Sequence, residues 1–215
     1  MQLKHLVILI SIIGTTFLYF ITTFAQPTLI DISEIPQYEG KQIIIKGTVI
    51  EHYTTSYGGQ IIQIKDEHNN QTMLFVEQIT SVEYGDFIQA TGTVQKYNDD
   101  WEIVVDQARL VKILQKWNST HFPLWQIANN PEKYSGLNIK VEGYLDRLYE
   151  TYFFLVDPDE EHEIFVTYKN SMGLNLTSGK MVIVEGRFQY DEHQLRYGID
   201  VSDEHHSVTI LEENT

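Results

Sequence analysis

The sequence predicts a mainly β protein with two small five-stranded Greek-key barrels in tandem after one N-terminal transmembrane helix. Three observations predict this architecture: an uncharged apolar segment at the N-terminus, a repeat within the remaining chain, and short strand-like runs separated by turn residues. The chain has 215 residues, of which 42% are hydrophobic and 21% are charged. This length and composition suit one or two packed domains and exclude wholesale disorder.

The N-terminal segment predicts a membrane anchor. Residues 6–25 carry no charged side chain, and a helix of this length spans about 30 Å, the thickness of the hydrocarbon core of a bilayer. Lys4 precedes the segment, whereas Asp31 and Glu34 follow it. We therefore expect a single-pass protein of the cell membrane with the rest of the chain outside the cytoplasm. The alternative is a signal peptide cleaved after Ala25, which would release a secreted protein.

The remaining chain repeats itself. Residues 38–49 match residues 134–145 in one register, because both stretches carry a Tyr, a Gly, three apolar positions and a second Gly. Residues 85–95 match residues 179–189 without a gap. Two copies of one domain explain both matches.

The repeat sets the predicted domain boundaries. Residues 1–26 form the anchor or signal peptide, residues 27–114 and 124–215 form the two barrels, and residues 115–123 form a short polar linker. Each copy contains five apolar runs bounded by Gly, Asn and Asp, as expected for five short strands. The fifth strand of the first copy is predicted over residues 101–113. In the second copy the strands are predicted at residues 137–147, 151–157, 162–169, 180–190 and 194–201, with a last stretch near 207–211.

Glycines inside two of the five predicted strands favour a tight barrel. They are Gly47 and Gly143 in the first strand, and Gly92 and Gly186 in the fourth. Glycine inside a strand marks a sharp bend or a bulge, which the long strands of a small barrel require. Residues 85–105 and 179–199 follow the pattern Gly-x-hydrophobic-x-x-x-Gly-x-hydrophobic, then a polar hairpin and an apolar strand. This pattern resembles the OB-fold, and the resemblance implies ligand binding on strands two and three and the adjoining loops.

Aromatic side chains of the second copy are the candidate ligand-binding residues. In the run after residue 150, Tyr152 and Phe154 alternate with two residues that align with the apolar core of the first copy, so we expect both to point outward. Tyr168 is a third candidate on the next strand. The alternative is that these rings pack against neighbouring parts of the protein.

The charge composition disfavours nucleic-acid binding but does not identify a ligand. The formal net charge is -15, and no stretch concentrates Lys and Arg, so a phosphate chain would meet a repulsive average field. We therefore predict a non-catalytic binding or scaffolding module that engages a protein, peptide or saccharide partner, with single-stranded nucleic acid as the less favoured alternative. No nucleophile elbow, phosphate loop or metalloprotease motif is present, and we expect neither enzymatic activity nor a cofactor.

Two further groups of residues are candidates for modification or metal binding. Asp203, His205 and His206 have side chains that bind divalent metals, although a solvated turn also explains them. Cysteine is absent, which excludes disulfides and thiolate metal sites. Three Asn-x-Ser/Thr sequons provide candidate glycosylation sites, at Asn70, Asn118 and Asn175.

One motif suggests a remote alternative. His193 and Tyr197 form a His-x-x-x-Tyr sequence, which is similar to the haem-carrying motif of the cytochrome c maturation haem chaperones. That resemblance implies a haem or metal carrier with an anchor and one barrel. This sequence departs from the family, because it has two predicted barrels and places the motif in a hairpin between two strands.

Overall fold

The described part of the chain is mainly β. The computed structural model describes residues 3–24, 26–168 and 176–211. It begins with helix α1 (Leu3–Phe24), strand β1 (Thr28–Leu29) and a 3-10 helix (Ile32–Tyr38). The lead into the first barrel is therefore a short strand followed by a 3-10 helix.

The predicted membrane location is corrected by the structure. Among the described residues, no helix combines the length and the sustained apolar character that a bilayer crossing requires. The prediction of a single-pass protein of the cell membrane, made from residues 6–25, is wrong on this finding. It relied on the length and the absence of charge of this segment, in which four Thr, one Ser and one Gly interrupt the apolar residues, whereas a crossing needs about 20 predominantly apolar residues within one helix.

The first sheet closes into a five-stranded barrel. Its strands follow the order β2-β3-β4-β6-β5, and β5 pairs back onto β2 to close the ring. Strands β4 and β6, which are the third and fifth strands of the barrel in chain order, run parallel. The other neighbouring pairs of the ring are antiparallel. The strands are β2 (Gln42–Thr54), β3 (Gln60–Lys65), β4 (Gln71–Val76), β5 (Phe87–Tyr97), β6 (Asp100–Val105) and β7 (Val111–Gln115).

The second sheet repeats this order. Its ring is β9-β10-β11-β13-β12, with β12 paired back onto β9 and with β11 parallel to β13. Two short helices lead into it, α2 (Leu124–Asn129) and α3 (Pro131–Tyr134). The strands are β8 (Phe122–Pro123), β9 (Leu137–Asp146), β10 (Tyr152–Val156), β11 (Glu163–Tyr168), β12 (Met181–Asp191), β13 (Arg196–Val201) and β14 (Ser207–Ile210).

This strand order is that of the OB-fold, a five-stranded Greek-key barrel. The predicted mainly β class and small barrel are confirmed. One strand differs from the prediction: the run over residues 101–113 is divided, because β6 ends at Val105 and a 3-10 turn (Ala108–Leu110) precedes β7. Strand β7 then pairs antiparallel with the first residues of β5, from Phe87 to Ala90.

The strand glycines allow neighbouring strands to approach closely. A Cβ atom at Gly92 would lie 2.5 Å from the carbonyl oxygen of Val104, and one at Gly186 would lie 2.5 Å from a methyl carbon of Ile199. Both glycines sit on the fourth strand of their barrel and face the fifth. A side chain there would push these two strands apart, which explains why the sequence places Gly at the same position in both copies.

The linker and the two barrels are held together by specific contacts. The fully buried side chain of Asp86 accepts hydrogen bonds from the backbone N–H of Trp117 at 3.1 Å and from Nζ of Lys116 at 3.0 Å. The guanidinium of Arg187, in the second barrel, lies 3.3 Å from the ring centroid of Tyr84 in the first. Each barrel nevertheless has its own hydrophobic core.

Candidate ligand-binding face of the second barrel

Strand β10 presents two aromatic rings on the outer surface of the second barrel. Phe153 and Leu155 are fully buried in the core, whereas Tyr152 and Phe154 are only partly buried. This alternation follows from the period of two in a strand. The structure therefore places both sequence-predicted residues on one outer face.

Two more rings complete this surface. Tyr149, in the loop between β9 and β10, stacks on Tyr152 with ring centroids 4.4 Å apart. Phe165 of β11 lies 5.2 Å from Tyr152 and 5.6 Å from Phe154. We call these four residues, Tyr149, Tyr152, Phe154 and Phe165, the aromatic face.

Two arginines lie against the aromatic face. The guanidinium carbon of Arg147 is 3.9 Å from the ring centroid of Phe154, and that of Arg196 is 3.6 Å from the ring centroid of Phe165. The cover that Arg196 provides helps to explain why Phe165 is only 6% exposed although it points away from the core. The arrangement combines π faces with cations, which attract each other electrostatically.

The two arginines differ in their electrostatic surroundings. Arg147 donates a hydrogen bond to Asp146 at 2.8 Å and forms an ion pair with Glu163. The hydrogen bond to Asp146, together with the charge of Glu163, raises the pKa of Arg147 above its usual value. Arg196 donates to the side-chain oxygen of Gln194, and among the described residues it forms no ion pair with a carboxylate. Arg196 is therefore the cation of this face that is available to an anionic ligand.

The loops that carry Arg147 and Arg196 each contain a residue with a strained backbone conformation. Arg147 has a φ of 42° and Leu195 a φ of 53°, both in the left-handed region that residues other than Gly seldom adopt. The first lies in the loop between strands one and two of the barrel, and the second in the hairpin between strands four and five. These two loops flank the face on which OB-folds bind ligands, and strained residues cluster at binding sites.

Tyr168 lies apart from the other two predicted residues. Its ring packs beside Phe153 of the core at 5.8 Å, and its hydroxyl donates to the carbonyl oxygen of Tyr149 at 2.8 Å. Burial raises the pKa of Tyr168. Its position supports the loop that carries Tyr149 and does not extend the aromatic face.

Sequence reasoning missed four residues of this surface: Tyr149, Phe165, Arg147 and Arg196. Alternation along β11 would have found Phe165, because its two neighbours in the strand are core residues. Nothing in the linear sequence links Arg196 to Phe165. That contact depends on the parallel pairing of β11 with β13, in which Phe165 is opposite Gly198.

The predicted metal candidates do not form a cluster. Within the described ranges, no group of three or more His, Asp or Glu side chains is arranged to hold a metal ion. His205 lies 3.7 Å from Glu204, and its backbone N–H donates to Asp203. The ring of His206 lies edge-on to the ring of Trp117 in the linker, with the two centroids 6.1 Å apart.

The remaining candidates are the three sequons and the His-x-x-x-Tyr motif. Asn70 uses its side-chain amide to bond Asp66 at 2.9 Å, and Asn118 is exposed, whereas Asn175 lies outside the described residues. In the His-x-x-x-Tyr motif, His193 is exposed in the hairpin and Tyr197 stacks on Phe188. Glycosylation stays a prediction.

Comparisons with known proteins identify no family for this chain. No protein-family model matches the chain, and no curated protein matches it. Similar solved structures include a putative aspartyl-tRNA synthetase from Leishmania major Friedlin, at 13% identity and a TM-score of 0.36. That match covers 42% of this chain, which spans only 21% of the synthetase.

Two further similar structures contain single-stranded DNA-binding proteins. One is replication protein A from U. maydis bound to ssDNA, at 17% identity and a TM-score of 0.30, with 41% of this chain and 73% of that chain covered. The other is a deletion mutant of the single-stranded DNA binding protein from Thermus aquaticus, at 14% identity and a TM-score of 0.29, with 81% and 95% covered. With scores this low, the OB-fold assignment depends on the strand order.

Proposed function

We propose that the second barrel binds a segment of single-stranded nucleic acid on the aromatic face. The observation that carries this proposal is the contact of Arg196 and Arg147 with the rings of Phe165 and Phe154, at 3.6 and 3.9 Å. Single-strand binding requires rings on which bases stack and cations beside them for the phosphates. The position agrees, since OB-folds use this face for oligonucleotides.

The proposal reverses the preference drawn from the sequence. Net charge averaged over the chain disfavoured nucleic acid, but a local pair of arginines determines the field that a short segment meets. Neighbouring carboxylates weaken that field, because Asp146 and Glu163 already engage Arg147. We therefore expect modest affinity that depends more on base stacking than on phosphate contacts.

The test measures binding of a fluorescein-labelled oligothymidylate of about 12 nucleotides to the full chain by fluorescence anisotropy. Phe154→Ala removes one stacking ring, and base stacking contributes about 1–3 kcal/mol per base, so the affinity is expected to fall about 5- to 150-fold. Tyr97→Ala is the control, because Tyr97 is an exposed ring at the hairpin between the fourth and fifth strands of the first barrel, away from the aromatic face. Equal losses in both variants, or no binding by the unmodified chain, would refute the proposal.

A protein or peptide partner at the same face is the second candidate. Tyr and Arg are the residues that dominate protein-binding hot spots, and the pairing of Arg147 with two carboxylates leaves little net positive charge. If this candidate is correct, the oligonucleotide does not bind to the chain. A polypeptide ligand does bind, and substitutions in the aromatic face weaken that binding.

A further inference from the structure

The first barrel carries a groove at the position that corresponds to the aromatic face. The groove has a volume of about 570 Å³ and is lined by strands β2 to β6. Four of its residues are aromatic, and two are acidic: Tyr53, Phe75, Tyr97 and Trp101, with Asp100 and Glu102. Tyr53 and Tyr97 are 49% and 62% exposed, so the apolar surface is open to a partner.

Strand register shows how the two faces correspond. In the second barrel, Asp191 of the fourth strand pairs with Arg196 at the start of the fifth. In the first barrel, the same pair is formed by Tyr97 and Asp100. The groove therefore carries a carboxylate where the aromatic face carries its unpaired arginine.

The charged residues that line the groove are both acidic. Among the described residues, Asp100 and Glu102 line it, and no Lys or Arg does. Glu102 accepts a hydrogen bond from Gln95, and Asp100 has no ion pair among the described residues. A phosphate chain would be repelled here, so the groove differs in ligand class from the aromatic face.

A cation already occupies the edge of this surface. Nζ of Lys96 lies 6.0 Å from the ring centroid of Trp101, and it is held there by an ion pair with Asp99 at 2.9 Å. The ring thus accepts a positive charge on one side. A ligand cation entering the groove would meet the Trp101 and Tyr97 rings together with the free carboxylate of Asp100, a combination that favours Lys and Arg side chains.

We propose that this groove binds a peptide segment of a partner protein in which Lys or Arg alternates with apolar side chains. The apolar side chains pack against Tyr53 and Phe75, and the basic side chain lies over Trp101 beside Asp100. Charge complementarity selects this occupant over a nucleic acid or an acidic peptide. The proposal does not depend on what the second barrel binds.

The experiment titrates the full chain into a fluorescein-labelled peptide of sequence Leu-Arg-Phe-Lys-Leu-Arg and follows anisotropy. The same peptide with Glu at every basic position is the ligand control. Asp100→Arg installs the charge found in the second barrel. It is expected to weaken binding of the basic peptide at least about tenfold, since it replaces attraction by repulsion at a residue that lines the groove. Trp101→Ala is expected to weaken it by a similar factor.

Asp159→Arg is the matched control variant. It makes the same exchange at an exposed position in the loop between β10 and β11, outside the groove, so peptide affinity should stay within about twofold. Circular dichroism confirms that each variant is folded. The proposal is overturned if the basic peptide does not bind, if the acidic peptide binds equally well, or if Asp100→Arg leaves the affinity unchanged.

Discussion

The salt dependence of oligonucleotide binding gives the sharpest test of the aromatic face. For single strands, the logarithm of the binding constant falls with the logarithm of salt concentration by about 0.7 per phosphate that the protein neutralises. Arg196 is the cation of the face that no carboxylate of the described residues engages, whereas Arg147 is already paired, so the expected slope is about -0.7. Raising the salt from about 50 to 200 mM should then weaken binding about 2.6-fold.

Arg196→Gln removes this cation and leaves the rings in place. The slope should fall to nearly zero, so the same change in salt should leave the affinity almost unchanged. Arg196→Lys is the matched variant, because it keeps the charge and the slope but loses the planar group that lies 3.6 Å from the Phe165 ring. The assay is fluorescence anisotropy at four or more salt concentrations. A slope that Arg196→Gln does not change would show that Arg196 does not meet a phosphate and would refute this reasoning.

Three further predictions test the site and the fold. Glu163→Gln removes one of the two carboxylates that pair with Arg147, so the oligonucleotide affinity measured by anisotropy should rise. An unchanged or weaker affinity would show that Arg147 does not contact the oligonucleotide. Phe153→Ala opens a cavity at a fully buried position and should lower the free energy of unfolding in denaturant by about 3–5 kcal/mol, whereas Tyr152→Ala should cost much less. Burial lowers the pKa values of His52 and His206 below the usual 6.5, so the unfolded chain binds protons first and stability should fall as the pH drops below about 6.5. His206→Gln should reduce this loss between pH 7 and pH 5, and an identical profile in the variant would exclude His206 as its source.

The strand framework was predictable because it depends on local patterns. Alternation in residues 151–157 placed Tyr152 and Phe154 outward, and the structure has them there. The glycines at positions 92 and 186 were predicted to mark a bend or a bulge in the fourth strand, and the structure shows a close approach to the fifth strand there. Each of these signals is carried by residues within one strand or by the repeat of that strand.

The composition of the face was not predictable, because it depends on contacts between distant strands. Arg147 and Arg196 appeared scattered in a chain of net charge -15, yet closure of the barrel brings both within 6 Å of the Phe154 ring. The parallel pairing of β11 and β13 produces this convergence. Counting charges along the sequence averages over a surface on which only two or three residues meet a ligand.

The repeated strand order allows one scaffold to carry two faces that differ in charge. The inward positions of both copies must fill a small barrel, so they stay apolar: Ile62 and Ile64 in β3 correspond to Phe153 and Leu155 in β10. Outward positions have no such constraint, because each barrel buries its own core. A change from Asp to Arg at the start of the fifth strand therefore costs the fold little, while it reverses the charge that an incoming ligand meets. On this argument, the difference between Asp100 and Arg196 separates the ligand classes of the two barrels.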